Sequence, residues 1–448
     1  MAPPLELSRR RFLTGAAALA GTAFLASCAA TPGGAGANAR TLQFWHLLSG
    51  ADGVTMSGLL DAVNGAQNDY RIRPTVLAWG EPYYTKLAMA AAGGRAPDVS
   101  IMHASRVVGY APGGLLDTWD TGRLAELGVS ADNFPDAVWN KGFIGDDLYS
   151  IALDAHPFIL MYNTDICGEA GVLDADGKLL PVGSPDEFLE LVRSVAAVSQ
   201  SHGLSYGYLG DGAQMWRLFY TLYTQHGIEM ELPQGGPAEI DDDAALASLT
   251  FMQQLLDDEL AARSADYQSA IAEFATGRSG LFLTGVWELR SMQQAGLPID
   301  ATIIPTLFGT PSVYADSHAF TLPHQSAPDE ASRDLVYRFV ADILKGSFDW
   351  AEAGHIPAYL PVTQSPAYAE LLPQAHYAEA AELVRYDPPA WFTGSGSRFQ
   401  ADFGAAVQNV LLQGADPAAA LSRFRARIDQ QLQTPNPADP DGSAGGAA

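Results

Sequence analysis

The chain has 448 residues, 51 of them Asp or Glu against 25 Lys or Arg, for a formal net charge of −26. So acidic a balance argues against a nucleic-acid partner and fits a protein kept soluble outside the cell. Two cysteines, Cys28 and Cys167, are too few for a disulfide framework.

The first residues read as a targeting segment. Ser8-Arg9-Arg10-Arg11-Phe12-Leu13 resembles a twin-arginine export signal, and the apolar run after it is too short to span a bilayer as a stable helix. Leu25-Ala26-Ser27-Cys28 resembles a lipobox, in which cleavage exposes Cys28 and its sulfur takes a diacylglycerol. Residues 1–27 are therefore expected to be signal and residues 28–40 a lipid-anchored flexible linker, rich in Gly and Ala. The anchor makes the membrane surface a partner. No second hydrophobic segment is long enough for a span, and residues 434–448, rich in Pro, Gly, Ala and Asp, read as a disordered tail. The body between them is longer than one core usually organises, so two domains are expected.

Short strands alternate with amphipathic helices, the α/β pattern. Residues 41–45 read as a first strand, 55–68 as a helix, 73–78 and 99–102 as strands, and 82–92 as a helix carrying Tyr84, Leu87 and Ala91 on one face. Ser184-Pro185-Asp186-Glu187 is a capping box with proline at the first helical position, followed by the buried stripe Phe188, Leu191, Val192 and Val195. Residues 329–345 repeat that logic, and Asp416-Pro417 opens a last helix with Leu421, Phe424 and Ile428 inward.

Catalytic signatures are missing: there is no G-x-S-x-G elbow, H-E-x-x-H, P-loop or dinucleotide fingerprint. The nine histidines never fall at metal-ligand spacing, so neither a metal nor a cofactor is expected. Asp241-Asp242-Asp243 suits a helix start, where carboxylates complement the dipole, better than a calcium site.

Several motifs then occur in one order. Ala96-Pro97-Asp98-Val99 is followed by Gly109-Tyr110-Ala111 and Gly114-Leu115-Leu116, then by residues 149–154 (YSIALD) and 161–165 (MYNTD). Residues 274–281 (FATGRSGL) lead to Gly285-Val286-Trp287, and Gly354-His355-Ile356-Pro357 and residues 414–421 (GADPAAAL) close the series. This ordered set resembles the family 1 extracellular solute-binding proteins of bacterial ABC importers, the maltose-binding-protein-like group. The resemblance implies a two-lobed periplasmic-binding-protein-like α/β fold, with discontinuous lobes, a hinge and an interlobe cleft that closes on ligand. Transferred to this chain, residues 41–153 and 320–352 form the first lobe and residues 154–319 and 353–433 the second. It implies a monomer that performs no chemistry, captures a carbohydrate, and hands it to permease subunits served by a separate ATPase.

A sugar cleft needs flat aromatic faces and planar polar side chains. Trp287 ends the G-x-W motif, which in the family places a tryptophan under the sugar, and Trp391 matches a late family aromatic. Trp45 ends the first strand, with His46 and Asp52 in the loop beyond. Arg106 falls at a cleft arginine position beside Ser105, where Met102 and Ser105 depart from the maltodextrin binders. Asp154 aligns with an acidic ligand position at the first crossing and is followed by His156. His318 and His355 join the candidates on topology, with His103, Trp79, Trp216 and Tyr220 as weaker ones. Two other readings stay open. One is a glycerophosphodiester binder, for which Phe44-Trp45-His46 also speaks; the other is a glycoside hydrolase, which needs a carboxylate pair that no motif assigns.

Overall fold

The computed structural model describes residues 39–440. The twin-arginine segment, Cys28, the linker through residue 38 and the tail from residue 441 lie outside the described residues. Among the described residues, no helix is long and apolar enough to cross a membrane.

Two mixed sheets organise the body from Arg40 onward. In the first, Arg40–His46 runs parallel to both Tyr70–Val76 and Val99–His103, and His318–Pro323 then joins antiparallel, with Leu116–Asp117 and Ser150–Ala152 beside it. The second is built around Asp154–Asn163, ten residues buried without exception, as an apolar run covered on both faces should be. Leu281–Gly285, Ile299–Ile303, Val313–Asp316 and Ile356–Pro357 all pair antiparallel with it. The chain passes between the sheets near Leu153, near Ser317 and near His355. The second passage was expected at residue 320, but His318 already pairs antiparallel with His103 in the first sheet, and its carbonyl accepts the Leu153 amide at 2.7 Å.

Local signals act where they were expected. Ser184 caps Pro185–Ala196 through the Glu187 amide, Asp416 caps Pro417–Leu432, and Asp241 caps Asp242–Leu255 through the Ala244 amide. That cap explains the first member of the Asp241–Asp243 run, and Arg425 pairs with the second, Asp242. The helix Gly212–Thr224 is buried all round rather than along a stripe. Trp216 and Tyr220, named as weaker cleft candidates, stack on each other at 4.8 Å inside it, and Trp216 meets Phe399 and Phe403 edge-on. They are core.

Residues 434–440 depart from the expected disorder. Thr434 O accepts the Trp391 indole at 3.1 Å, and Asn436 donates to Gly109 O at 3.2 Å. A Cβ on Gly113 would come within 2.1 Å of the Ala438 carbonyl oxygen, so the segment lies against bare backbone. Composition marks it as unable to form a core of its own, yet one provided by the body suffices.

Trp216→Ala is expected to lower the unfolding free energy by about 3–5 kcal/mol, as for a large aromatic removed from a packed core. Urea denaturation checks this; a loss under about 1 kcal/mol would mean the indole is not enclosed as described.

Candidate functional site

The three passages between the sheets lie side by side, and this brings together residues far apart in sequence. Pairing of Ile356–Pro357 and Val313–Asp316 with the start of Asp154–Asn163 sets Asp154 and His156 next to His318 and His355. Asp154 Oδ1 accepts the His318 amide at 2.8 Å and faces His156 Nδ1 at 3.1 Å. Its Oδ2 accepts from Trp350 Nε1 at 2.7 Å and faces His318 Nδ1 at 2.8 Å and His355 Nδ1 at 3.0 Å. The last contact is too poorly aligned for a hydrogen bond, whereas His355 Nε2 is bonded to Asp52 at 3.0 Å. The rings pack as tightly as their heads: His156 stacks on His318 at 4.2 Å, and Trp350 on His355 at 4.3 Å.

Burial and the surrounding charges divide these groups. Burial alone would raise the Asp154 carboxyl, yet His318 and His156 hold it well below the usual range. Burial, reinforced by His318, pushes both His46 and His156 down to about 4, and burial pushes His103 well below its ordinary value. Burial also opposes protonation of His355, but Asp52 and Asp154 outweigh it and lift its pKa to about 10.

Above this cluster is a cavity of about 440 Å³, a size that suits a small molecule. Residues 47–52, Trp79 and His103 reach it from the first sheet's side, and Gln214, Arg217 and Trp287 from the second's; Asp52, expected in a loop, stands in the first turn of the helix Gly50–Ala66. Trp287 owes its position to Gly285, where a Cβ would stand 2.0 Å from the indole ring; without one, the ring folds back over the backbone. Its Nε1 donates to Tyr267 Oη at 2.7 Å, which donates to Glu288 at 2.5 Å, and the Arg217 guanidinium lies 4.7 Å from the ring centroid. Gln214 presents a buried Oε1 with no protein partner. Asp211 closes the helix end nearby by accepting the Ala213 and Gln214 amides.

Of the residues expected here, Asp52, His156, Trp287 and His318 line the cavity, as do the weaker candidates Trp79 and His103. Asp154 does not meet it: the carboxylate is fully buried and its oxygens are committed to the cluster. His355 sits behind it for the same reason. His46 turns inward against Phe44, and Trp45 faces the other side, under the Lys86 ammonium. Ser105 is held by Asp316, which also accepts its amide at 3.1 Å, and it accepts the Ser395 amide at 3.2 Å. Arg106 pairs with Glu81 at 3.2 Å over the Tyr84 ring, and with Trp391 lines a second, larger cavity of about 910 Å³. Gly394 packs against Arg106, which lines the second cavity, and Gly396 against Trp79, which lines the first, and residues 434–438 border the second. Sequence reasoning missed Gln214, Arg217, Tyr267 and Glu288. The Asp211 cap followed by Gln214 and Arg217, one turn apart on a helix face, was the available signal.

The chain matches the family described as "Bacterial extracellular solute-binding protein" over residues 58–373. It is 22% identical over 399 residues to a galactooligosaccharide-binding protein of Bacillus subtilis (strain 168), covering 84% of this chain and 87% of that one. Among solved structures, the sugar-binding protein MalE from the phytopathogen Xanthomonas citri superposes with a TM-score of 0.73 at 15% identity, over 88% of this chain and 97% of that one. The GacH receptor of Streptomyces glaucescens GLA.O gives 0.72 at 17% identity, over 88% and 99%. These two likenesses establish a shared fold.

Beside the site, Asp387 accepts from Tyr314 Oη at 2.8 Å, and burial followed by the Asp316 charge raises its pKa from 3.8 to about 6. The folded state thus holds this proton more tightly than the unfolded one, a stabilisation complete below about pH 4 and lost as pH rises through 6. Relative to Asp387→Asn, the protein should lose on the order of 3 kcal/mol between pH 4 and 7. Denaturation across that range checks it; a constant difference would contradict it.

Proposed function

Because the chain belongs to the bacterial extracellular solute-binding proteins, we propose that it is the substrate-capturing subunit of an ABC importer, that its solute is a mono- or oligosaccharide, and that hinge closure holds the sugar for delivery to the permease. The reading is carried by Trp287 lying flat on Gly285, with Arg217 at its ring and the free Gln214 Oε1 nearby. An indole face suits the C–H face of a pyranose, and the amide, guanidinium and carboxylates of Asp52 and Glu288 suit its hydroxyls. A relative and several structural neighbours whose names specify sugars support the same class. The glycerophosphodiester alternative is less well served. Arg217 shares the cavity with Asp52, Asp211 and Glu288, so an anion there meets three carboxylates; Asp211 already caps the helix Gly212–Thr224, and Asp52 stands in the first turn of the helix Gly50–Ala66.

The proposal extends to the setting: a monomer held by lipid at Cys28 on the outer face of the cytoplasmic membrane after twin-arginine export, working with permease subunits and a separate ATPase. Cys28→Ala should move the protein from the membrane fraction to the soluble exported fraction; unchanged membrane association would remove the anchor from the proposal.

In a thermal-shift screen of sugars, polyols and glycerophosphodiesters, a cognate sugar at 100 times its Kd should stabilise the protein by ~2.7 kcal/mol and be recovered intact. Trp287→Ala should weaken that binding by about 1–2 kcal/mol, roughly tenfold or more. A response to phosphodiesters alone would transfer the proposal to that class, and consumption of the sugar would overturn it.

A further inference from the structure

The cluster beneath the cavity has a feature that the capture of a sugar does not explain. His156, His318 and His355 all turn Nδ1 toward Asp154, and the four residues, all buried, bring one ligand atom each within 4.8 Å of the others. The Asp52 carboxylate accepts from His355 Nε2 at 3.0 Å and so aims the ring, whose Nδ1 stands 3.0 Å from Asp154 Oδ2 without an aligned hydrogen-bond partner. Three imidazoles converging on one buried carboxylate are a set that a divalent cation can hold once it displaces their protons.

We propose that Asp154 Oδ2 and the Nδ1 atoms of His156, His318 and His355 form a closed, four-coordinate site for a divalent transition metal of the zinc class. Three imidazoles and a carboxylate are a ligand set zinc accepts, and in a tetrahedron with bonds of about 2.0–2.1 Å such ligands stand about 3.3 Å apart. The surroundings resemble an outer coordination shell. Asp52 fixes the tautomer and aim of His355, while Trp350 Nε1 and the His318 amide each hold one Asp154 oxygen once the histidine protons have left. With four protein ligands the metal leaves no open position, so it acts as a clasp and not as a catalyst. Its ligands come from all three passages between the sheets, so it would fasten the hinge at the cavity floor, where His156 and His318 also touch the solute space.

The test is a titration of the chelator-stripped full chain with ZnCl2 by calorimetry and with CoCl2 by visible absorption. One equivalent of zinc should bind with release of protons, raise Tm, and be displaced by a chelator. Co2+ should give the intense visible bands of tetrahedral coordination. His156→Gln and His318→Gln should each weaken zinc binding by at least about 100-fold, and Asp52→Asn by about 10- to 100-fold, with circular dichroism confirming the fold. The cobalt spectrum decides the matter on the unaltered protein even where a variant fails to fold. No zinc heat at millimolar metal, octahedral cobalt, or binding undiminished in the folded variants would overturn the proposal, as would a His355 ring found doubly protonated in zinc-saturated buffer. None of these readouts requires a sugar, so failure here leaves the carbohydrate reading standing.

Discussion

A single buried carboxylate organises the middle of this molecule. Asp154 is cut off from solvent, and a charge in that position is tolerable only if donors surround it. The donors come from every passage between the sheets: the His318 amide and ring, the His156 ring, and the Trp350 indole, with His355 in charge contact. Removing any of these groups leaves part of the charge unpaired, so each passage is bound to the others by the cost of burying it. That constraint fixes where the sheets meet and therefore where a cavity can open above them.

The cavity inherits its order from this base. His156 and His318, aimed by Asp154, become part of its floor, while Trp287 descends from the neighbouring strand Leu281–Gly285. The indole is placed by what is missing at Gly285 and braced by Tyr267 and Glu288. Little of the site rests on flexible loops. Arg217 and Gln214 come from a helix buried on all sides, so a solute would meet side chains already held in place.

The parts of the fold that depend on neighbours in sequence were legible. Ser184, Asp416 and Asp241 announce their helices because a cap needs only amides two or three residues away. The order of motifs carried the family, and Gly285-Val286-Trp287 carried the aromatic floor. Asp154, His156, His318 and His355 were each named as cleft candidates, but their meeting on one buried carboxylate was hidden because they come from three separate passages; spacing rules for histidines see only ligands on one helix or hairpin. Arg106 and Trp391 illustrate the opposite difficulty. Both lie between the sheets, but the Gly394–Gly396 turn packs on Arg106 and Trp79 and assigns them to a different cavity. Such a division depends on how one loop seats against two others, and no local pattern encodes it.

Residues 434–438 give the larger cavity a wall made mostly of main chain, pinned where the Trp391 indole donates to the Thr434 carbonyl and Asn436 donates to the Gly109 carbonyl. Its seat depends on the bare backbone of Gly113, where a Cβ would stand 2.1 Å from the Ala438 carbonyl oxygen. A side chain at Gly113 would therefore displace that wall and reshape the larger cavity, while leaving every residue around Trp287 untouched.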